Sequence, residues 1–231
     1  MQTTINWPPI APTTPLAVLA SGGLDSAILL AEAVRVYPKV HPLYIRTGLY
    51  WETTELVYLD RFLAAIATTN LLPLSILEQP VRDLYGNHWS LTGLDIPIAG
   101  TPDEDVYLPG RNVLLLAKSL LWCYLNGVPE IAMAPLAANP FPDATNEFFA
   151  EFSGAVNRAV QANVRILRPY SHLHKSEILK RANGIPLRNT FSCIRPVDGL
   201  HCGRCNKCFE RQQGFRDADL ADPTTYSSRH V

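Results

Sequence analysis

Leu16-Ala17-Val18-Leu19-Ala20-Ser21-Gly22-Gly23-Leu24-Asp25-Ser26 runs from an apolar, buried strand through a Ser-Gly-Gly turn into an apolar-periodic helix. Two adjacent glycines let the backbone turn sharply and approach a ligand with no Cβ in the way. The side chains of Ser21, Asp25 and Ser26 then converge with the free N–H groups of the first helical turn. Unpaired donors and the helix dipole act on the same charge there, so the spacing predicts an anion site. The expected ligand is the phosphate chain of a nucleotide, held by Ser21, Gly22, Gly23, Leu24, Asp25 and Ser26.

Outward from this run, 231 residues suffice for one large domain, or a domain with a small appendix. With 47% hydrophobic and 18% charged residues, a sizeable core is expected and wholesale disorder is excluded. A formal net charge of -1 offers no bulk attraction to nucleic acid or anionic membrane, so no direct nucleic-acid partner is expected. No apolar run approaches a membrane span, and Met1-Gln2-Thr3-Thr4-Ile5 lacks the layout of a signal peptide. The cytoplasm is the expected compartment.

The chain alternates between two kinds of segment. Residues 1–15 read as an extended, proline-rich lead-in, 16–20 as a strand and 24–37 as a helix stopped before Pro38. Residues 40–45 form a second strand, and 51–69 a long helix with Leu56, Leu59, Leu63 and Ile66 on one face. Residues 71–77 form a third strand, which Pro73 places near an edge. The long connection 79–109 is rich in proline and glycine and reads as a lid or substrate loop. Order resumes with a strongly apolar helix (111–126), a short strand (130–134), a helix (145–162), a strand (165–167) and a helix (174–183). Such alternation predicts an α/β fold, a mostly parallel Rossmann-like sheet with helices on both faces, whose ligands bind beyond the strands' carboxyl ends. The expected divisions are 12–168 for a nucleotide-binding domain, 169–216 for a small C-terminal helical segment bearing a metal, and 217–231 for a loose polar tail.

Cysteine spacing supplies the second signal. Cys123 sits in an apolar helix and reads as a small buried hydrophobe. Cys193, Cys202, Cys205 and Cys208 form C-x8-C-x2-C-x2-C, in which two-residue spacing folds thiolates back towards one point. In an intracellular chain this favours a bound metal over disulfides. Closed structural zinc is preferred, with an iron–sulfur cluster as the rival. The six histidines show no ligand-like spacing and are expected to face solvent or be hydrogen-bonded.

Ser21-Gly22-Gly23-Leu24-Asp25-Ser26 is similar to the pyrophosphatase loop (PP-loop) of the N-type ATP pyrophosphatases, which cleave ATP to AMP and pyrophosphate. Three further stretches follow: Tyr107-Leu108-Pro109-Gly110-Arg111-Asn112, Lys175-Ser176-Glu177-Ile178, and Ser192-Cys193 with Cys202-Gly203-Arg204-Cys205-Asn206-Lys207-Cys208-Phe209-Glu210-Arg211. In this order they resemble the 7-cyano-7-deazaguanine synthase family, from about residue 16 to about residue 215. The resemblance implies an ATP-dependent ligase forming C–N bonds, which makes the nitrile precursor of queuosine from 7-carboxy-7-deazaguanine and ammonia. It implies ATP, Mg²⁺ at Asp25, zinc at the four cysteines, and a homodimer. Asp25, Arg111 and Lys175 become the candidate catalytic residues, the two cations lying near phosphates as a fork and a point charge.

Two stretches depart from the family pattern. Where the family has an Asp-Tyr-Gly-Gln-like run, this chain reads Arg46-Thr47-Gly48-Leu49-Tyr50-Trp51-Glu52. Where it has Tyr-Pro-Asp-Cys-Arg before Glu-Phe, this chain reads Phe141-Pro142-Asp143-Ala144-Thr145-Asn146-Glu147-Phe148, without the cysteine and arginine. The candidate substrate contacts, Gly48, Trp51, Glu55, Asp143 and Glu147, lie in or beside these stretches. Three rival readings remain open. One is a paralogue that acts on a related carboxylate and ends at an amide. Another is tRNA sulfur transfer, which needs free thiols. The third is a nucleotide-binding partner protein that has lost turnover, against which the complete loop with Asp25, Arg111 and Lys175 argues.

Overall fold

A computed structural model describes residues 7–11, 13–137 and 139–228. Met1 to Ile5, His230 and the end of the expected tail lie outside that set. Five parallel strands form one sheet in the order β3-β2-β1-β4-β5: β1 Pro15–Leu19, β2 Lys39–Arg46, β3 Ser75–Glu78, β4 Glu130–Ala132 and β5 Arg165–Leu167. The helices are α1 (Leu24–Val36), α2 (Glu52–Ala65), the short α3 (Arg82–Tyr85) and α4 (Trp89–Thr92), α5 (Arg111–Leu125), α6 (Asn146–Val160), α7 (Lys175–Arg181) and α8 (Asn206–Asp217).

Successive strand residues point to opposite faces, and here both faces are covered. Leu16 and Val18 of β1 pack with Ile28, Leu59, Ile178 and Phe215 from α1, α2, α7 and α8. Ala17 between them packs with Leu116, Leu120 and Phe149 from α5 and α6. The uninterrupted apolar run of β1 is therefore what a strand buried on two sides requires, as the alternation of segments predicts.

β3 lies at an edge but is shorter than residues 71–77. Val40 donates its N–H to the Asn70 carbonyl at 2.8 Å and accepts from the Leu72 N–H at 2.9 Å. Pro42, two residues further along the same side of β2, has no N–H to offer. Leu71 is left with an isolated bridge to Val40, and the ladder resumes only at Ser75.

The connection 79–109, expected as a lid or substrate loop, packs as a wall against the rest of the chain. Val81, Ile96, Val106 and Leu108 are buried. Ile96, Val106 and Leu108 share a second apolar cluster with Trp51, Phe191 and the four clustered cysteines. Backbone bonds pin the connection at both ends, from Gln79 N–H to Arg46 O (2.7 Å), Val81 N–H to Thr47 O (3.1 Å), Ala99 N–H to Arg204 O and Asn206 N–H to Pro97 O (both 3.0 Å). These contacts are non-local, which is why no periodicity announces them.

The C-terminal segment shares the main core, so the packing does not divide near residue 168. Leu173, Ile178, Leu179 and Phe215 join the cluster of β1 and α1. Tyr170 donates its hydroxyl to Glu32 of α1 at 2.5 Å, and Arg181 Nε donates to the other oxygen at 3.1 Å. Nor are residues 218–228 a loose tail. Thr224 is buried and accepts from Arg211 Nε at 2.7 Å. Ser227 N–H donates to His201 O, and Ser228 Oγ to Cys202 O, both at 2.8 Å. The strap is polar because its partners are polar. Among the described residues, no helix is long and apolar enough to cross a membrane.

Tyr170→Phe strands a buried Glu32 oxygen and is expected to lower unfolding stability by about 1–3 kcal/mol in a urea titration. Unchanged stability would show that the docking of the C-terminal segment does not depend on this bond.

Candidate active site

β1 ends at Leu19, and the chain turns at once. Gly22 takes φ +75°, and its ideal Cβ would lie 3.4–3.5 Å from the Glu55 carbonyl oxygen, Glu55 Cγ and Leu59 Cβ, so the turn rests directly on α2. Gly23 precedes α1 with no side-chain cap, which leaves first-turn N–H groups without an intrahelical partner. The Ser21 and Ser26 hydroxyls stand 3.0 Å apart. Phe191 N–H donates to Gly22 O at 2.7 Å and ties the turn to the C-terminal segment. The turn lies at the carboxyl end of β1, between β2 and β4, where the strand order reverses.

Two cavities open around this turn, of about 290 Å³ and about 240 Å³. Ser21, Gly23, Asp25, Glu55 and Arg111 border both, while Leu24, Lys175 and Trp51 line the second, and Ser26 and Asp143 the first. Most of the expected residues therefore meet in one place. Gly22, Gly48 and Glu147 do not line either cavity. Gly22 underpins the turn, Gly48 donates its N–H to Glu52 at 3.0 Å, and Glu147 is exposed on the first turn of α6.

Lys175 Nζ lies 2.6 Å from Asp25 Oδ2 and 3.1 Å from Glu210 Oε1, and Lys207 Nζ lies 2.7 Å from Glu210 Oε2. Burial opposes the charge on Lys175, but Asp25 and then Glu210 outweigh it and lift the ammonium above its usual value. Burial would likewise raise the Glu210 carboxyl, yet Lys175 and Lys207 hold it down at about 2. The second oxygen of Asp25, Oδ1, is buried and meets no partner among the described residues. An orphaned carboxylate oxygen beside a phosphate-sized turn suits a hard divalent cation such as Mg²⁺.

Arg111 opens α5 after Gly110, where an acid or a capping residue is expected. The acid comes from elsewhere in the chain. Asp143 Oδ2 accepts the Asn112 N–H at 2.9 Å, and Asn112 Nδ2 donates to Asp143 O at 2.9 Å. Asp143 thus caps the first turn of α5, which Arg111 opens. Glu52 plays a similar part at the turn after β2, accepting the Thr47 N–H at 2.7 Å as well as that of Gly48.

Lys207, Glu210, Arg211 and Trp89 also line the second cavity, although sequence reasoning assigned them nothing. The signal available for the first three was their place one turn into a helix that begins at the cysteines.

The four cysteine sulfurs lie within 4.8 Å of one another, with Cys193–Cys205 at 3.8 Å and Cys202–Cys208 at 3.9 Å. A zinc tetrahedron with bonds of about 2.3 Å has edges of about 3.8 Å, so the set forms a metal-binding site that fits zinc. The N–H groups of Arg195, Cys202, Arg204, Cys205 and Cys208 point at these sulfurs from 3.3–3.4 Å and favour thiolates. Gly203 takes φ +78°, and a Cβ there would collide with the Ser228 carbonyl. Cys123 is fully buried, and burial pushes its thiol up to about 12. His201 is buried and accepts the Ser192 N–H at 3.1 Å, which makes it one of the hydrogen-bonded histidines.

A family model described as Queuosine biosynthesis protein QueC matches residues 16–219. A 7-cyano-7-deazaguanine synthase of Thiobacillus denitrificans is 35% identical over 91% of this chain and 97% of its own length. One of Solidesulfovibrio magneticus is 35% identical over 90% and 94%. Among solved structures, a U34-tRNA thiolase, NcsA, of Methanococcus maripaludis overlaps at a TM-score of 0.46 and 12% identity, covering 90% of this chain and 68% of that one.

Glu55 gives a pH test. Burial pushes its carboxyl up to about 7, against the lowering effects of the Tyr44 hydrogen bond (2.5 Å) and of Arg111. The folded chain therefore holds this proton more tightly than the unfolded chain, and ionisation of Glu55 costs stability as pH rises from about 4.5 to about 7. Glu55→Gln keeps a neutral group throughout. Its stability relative to wild type is expected to rise across that window, by about 3 kcal/mol at the limit. Urea titrations at a series of pH values check this, and parallel curves would refute the buried proton.

Proposed function

The chain belongs to the QueC family of queuosine biosynthesis proteins, and from that membership we propose that it converts 7-carboxy-7-deazaguanine to 7-cyano-7-deazaguanine with ATP and ammonia. The observation that carries this reading is the convergence on one turn of uncapped helix N–H groups, two hydroxyls, Arg111, Lys175 and the orphaned Asp25 oxygen. It is an arrangement suited to a nucleotide whose phosphate bond is to be broken.

A carboxylate is a poor electrophile, so it first attacks the α-phosphate of ATP to give an acyl-adenylate and pyrophosphate. Negative charge gathers on the departing pyrophosphate. The N–H groups of residues 24–26, with Ser21, Ser26 and Lys175, are fixed donors for it and need no reorganisation as it forms. Arg111, on the helix turn that Asp143 caps, serves as a fork for phosphate oxygens. Asp25 would hold Mg²⁺, which would supply positive charge against the phosphates. Ammonia displaces AMP to give the amide. A second ATP adenylates the amide oxygen, and loss of AMP and protons leaves the nitrile.

Zinc at Cys193, Cys202, Cys205 and Cys208 is proposed as a closed structural centre that starts α8 and so presents Lys207 and Glu210. A cytoplasmic homodimer belongs to the same reading.

The departures at residues 46–52 and 141–148 favour one second reading, a paralogous ligase that stops at an amide. Sulfur transfer to tRNA draws no support, because four cysteines are gathered at one point and the Cys123 thiol is buried and unreactive.

Purified protein given 7-carboxy-7-deazaguanine, MgATP and ammonium is expected to release pyrophosphate and yield the nitrile by mass. An amide product would select the second reading, and the absence of pyrophosphate would overturn both. Lys175→Met is expected to slow pyrophosphate release about 10²–10³-fold. Metal analysis is expected to find one zinc per chain, and iron with sulfide would refute zinc.

A further inference from the structure

The two cavities differ in their walls. The first is floored by the carboxyl ends of three strands, through Ala20, Ile45 and Met133, where nucleotides bind in open parallel sheets. The second turns away from the sheet. Its wall is aromatic, formed by Trp51, Trp89 and Phe191, and its polar side holds the paired Lys175, Glu210 and Lys207. Asp25, Glu55 and Arg111 border both. A nucleotide in the first cavity leaves its phosphates at this shared rim, within reach of Lys175, and the aromatic side of the second cavity free.

Trp51 and Trp89 stack at 5.9 Å between ring centroids, with an interplanar angle of 20°. Trp51 is buried and Trp89 only half-buried, so one indole is the base and the other still presents surface. The position of Trp89 is fixed by the stretch that departs from the family pattern. Tyr50 N–H donates to Ser90 O at 2.8 Å, and Gly93 lies against the Tyr50 ring, where a Cβ would come within 2.4 Å. His88 Nδ1 caps α4 by accepting the Ser90 N–H at 3.3 Å.

We propose that the second cavity is the acceptor subsite, which takes a planar heteroaromatic carboxylate, and that Trp89 is the face on which its ring stacks. An aromatic wall selects a flat ring, and Arg111, which borders both cavities, offers a cation at the shared rim where the acceptor carboxylate meets the α-phosphate. The subsite rests on the adenylation reading for its place in the reaction. The exposed face of the wall, Trp89, comes from the connection 79–109, which makes that connection a specificity element of the fold.

The test is calorimetric binding of 7-carboxy-7-deazaguanine in the presence of Mg²⁺ and a non-hydrolysable ATP analogue. Trp89→Ala and Trp89→Leu are expected to weaken the acceptor about 10- to 100-fold. Trp89→Phe, which keeps a π face, is expected to stay within about threefold of wild type. Affinity for the ATP analogue is expected to be unchanged in all three. Trp89→Leu fills the space against Trp51, so the test survives if the alanine variant misfolds. Undiminished acceptor binding in Trp89→Leu, an equal loss of nucleotide binding, or no acceptor binding to wild type overturns the subsite. Wild-type binding without pyrophosphate release overturns the reaction while leaving the subsite to the variants.

Discussion

A single ion pair, Lys175 to Asp25 at 2.6 Å, joins positions 150 residues apart, and much of the molecule is arranged so that it can form. Asp25 must leave the first turn of α1 facing the cavity, which needs Gly22 and Gly23 at the turn. Lys175 must lie across α8, which needs Gly214. A Cβ at that position would stand 2.7 Å from Lys175 Cγ and 3.3 Å from Leu179 Cδ1. The near end of a lysine stem has little freedom to yield, so a side chain there would move the ammonium itself. The C-terminal helices are thus half of the site, and their shared core with β1 and α1 follows from that duty.

The charges around this pair are balanced in a chain. Asp25, Lys175, Glu210 and Lys207 alternate in sign, each within hydrogen-bonding distance of the next. Removing a member leaves its neighbour partly buried and unpaired, which costs more than the contact contributes. Asp25 Oδ1 is the one carboxylate oxygen among the described residues left buried without a partner, at the point where the proposed reaction brings a cation. α8 carries the far end of the chain of charges and is capped by Cys205, whose sulfur accepts the Cys208 N–H at 3.4 Å. The metal-binding cluster and the Ser-Gly-Gly turn are thereby coupled through one helix.

Local signals were legible where one segment's pattern suffices. The apolar run 16–20, the Ser-Gly-Gly turn and the C-x8-C-x2-C-x2-C spacing each state their structure over a few residues, because strand burial, positive φ and thiolate geometry are short-range demands. The parallel sheet and its helices on both faces followed from the same alternation. The third strand was read too long because Pro42, which breaks its ladder, lies on a different strand.

What only the tertiary structure decided is which distant groups meet. Asp143 caps a helix through Asn112, 31 residues before it, so its acid was legible and its partner was not. Residues 218–228 look like a tail because they are polar, yet they hold Cys202, His201 and Arg211 through hydrogen bonds that no composition reveals. Trp89 sits in a stretch without periodicity and becomes part of a wall because Tyr50 and Trp51 fix it from another segment. Motif residues carry their chemistry in their own identity and spacing, whereas packing partners and cavity walls depend on how separate segments close on one another.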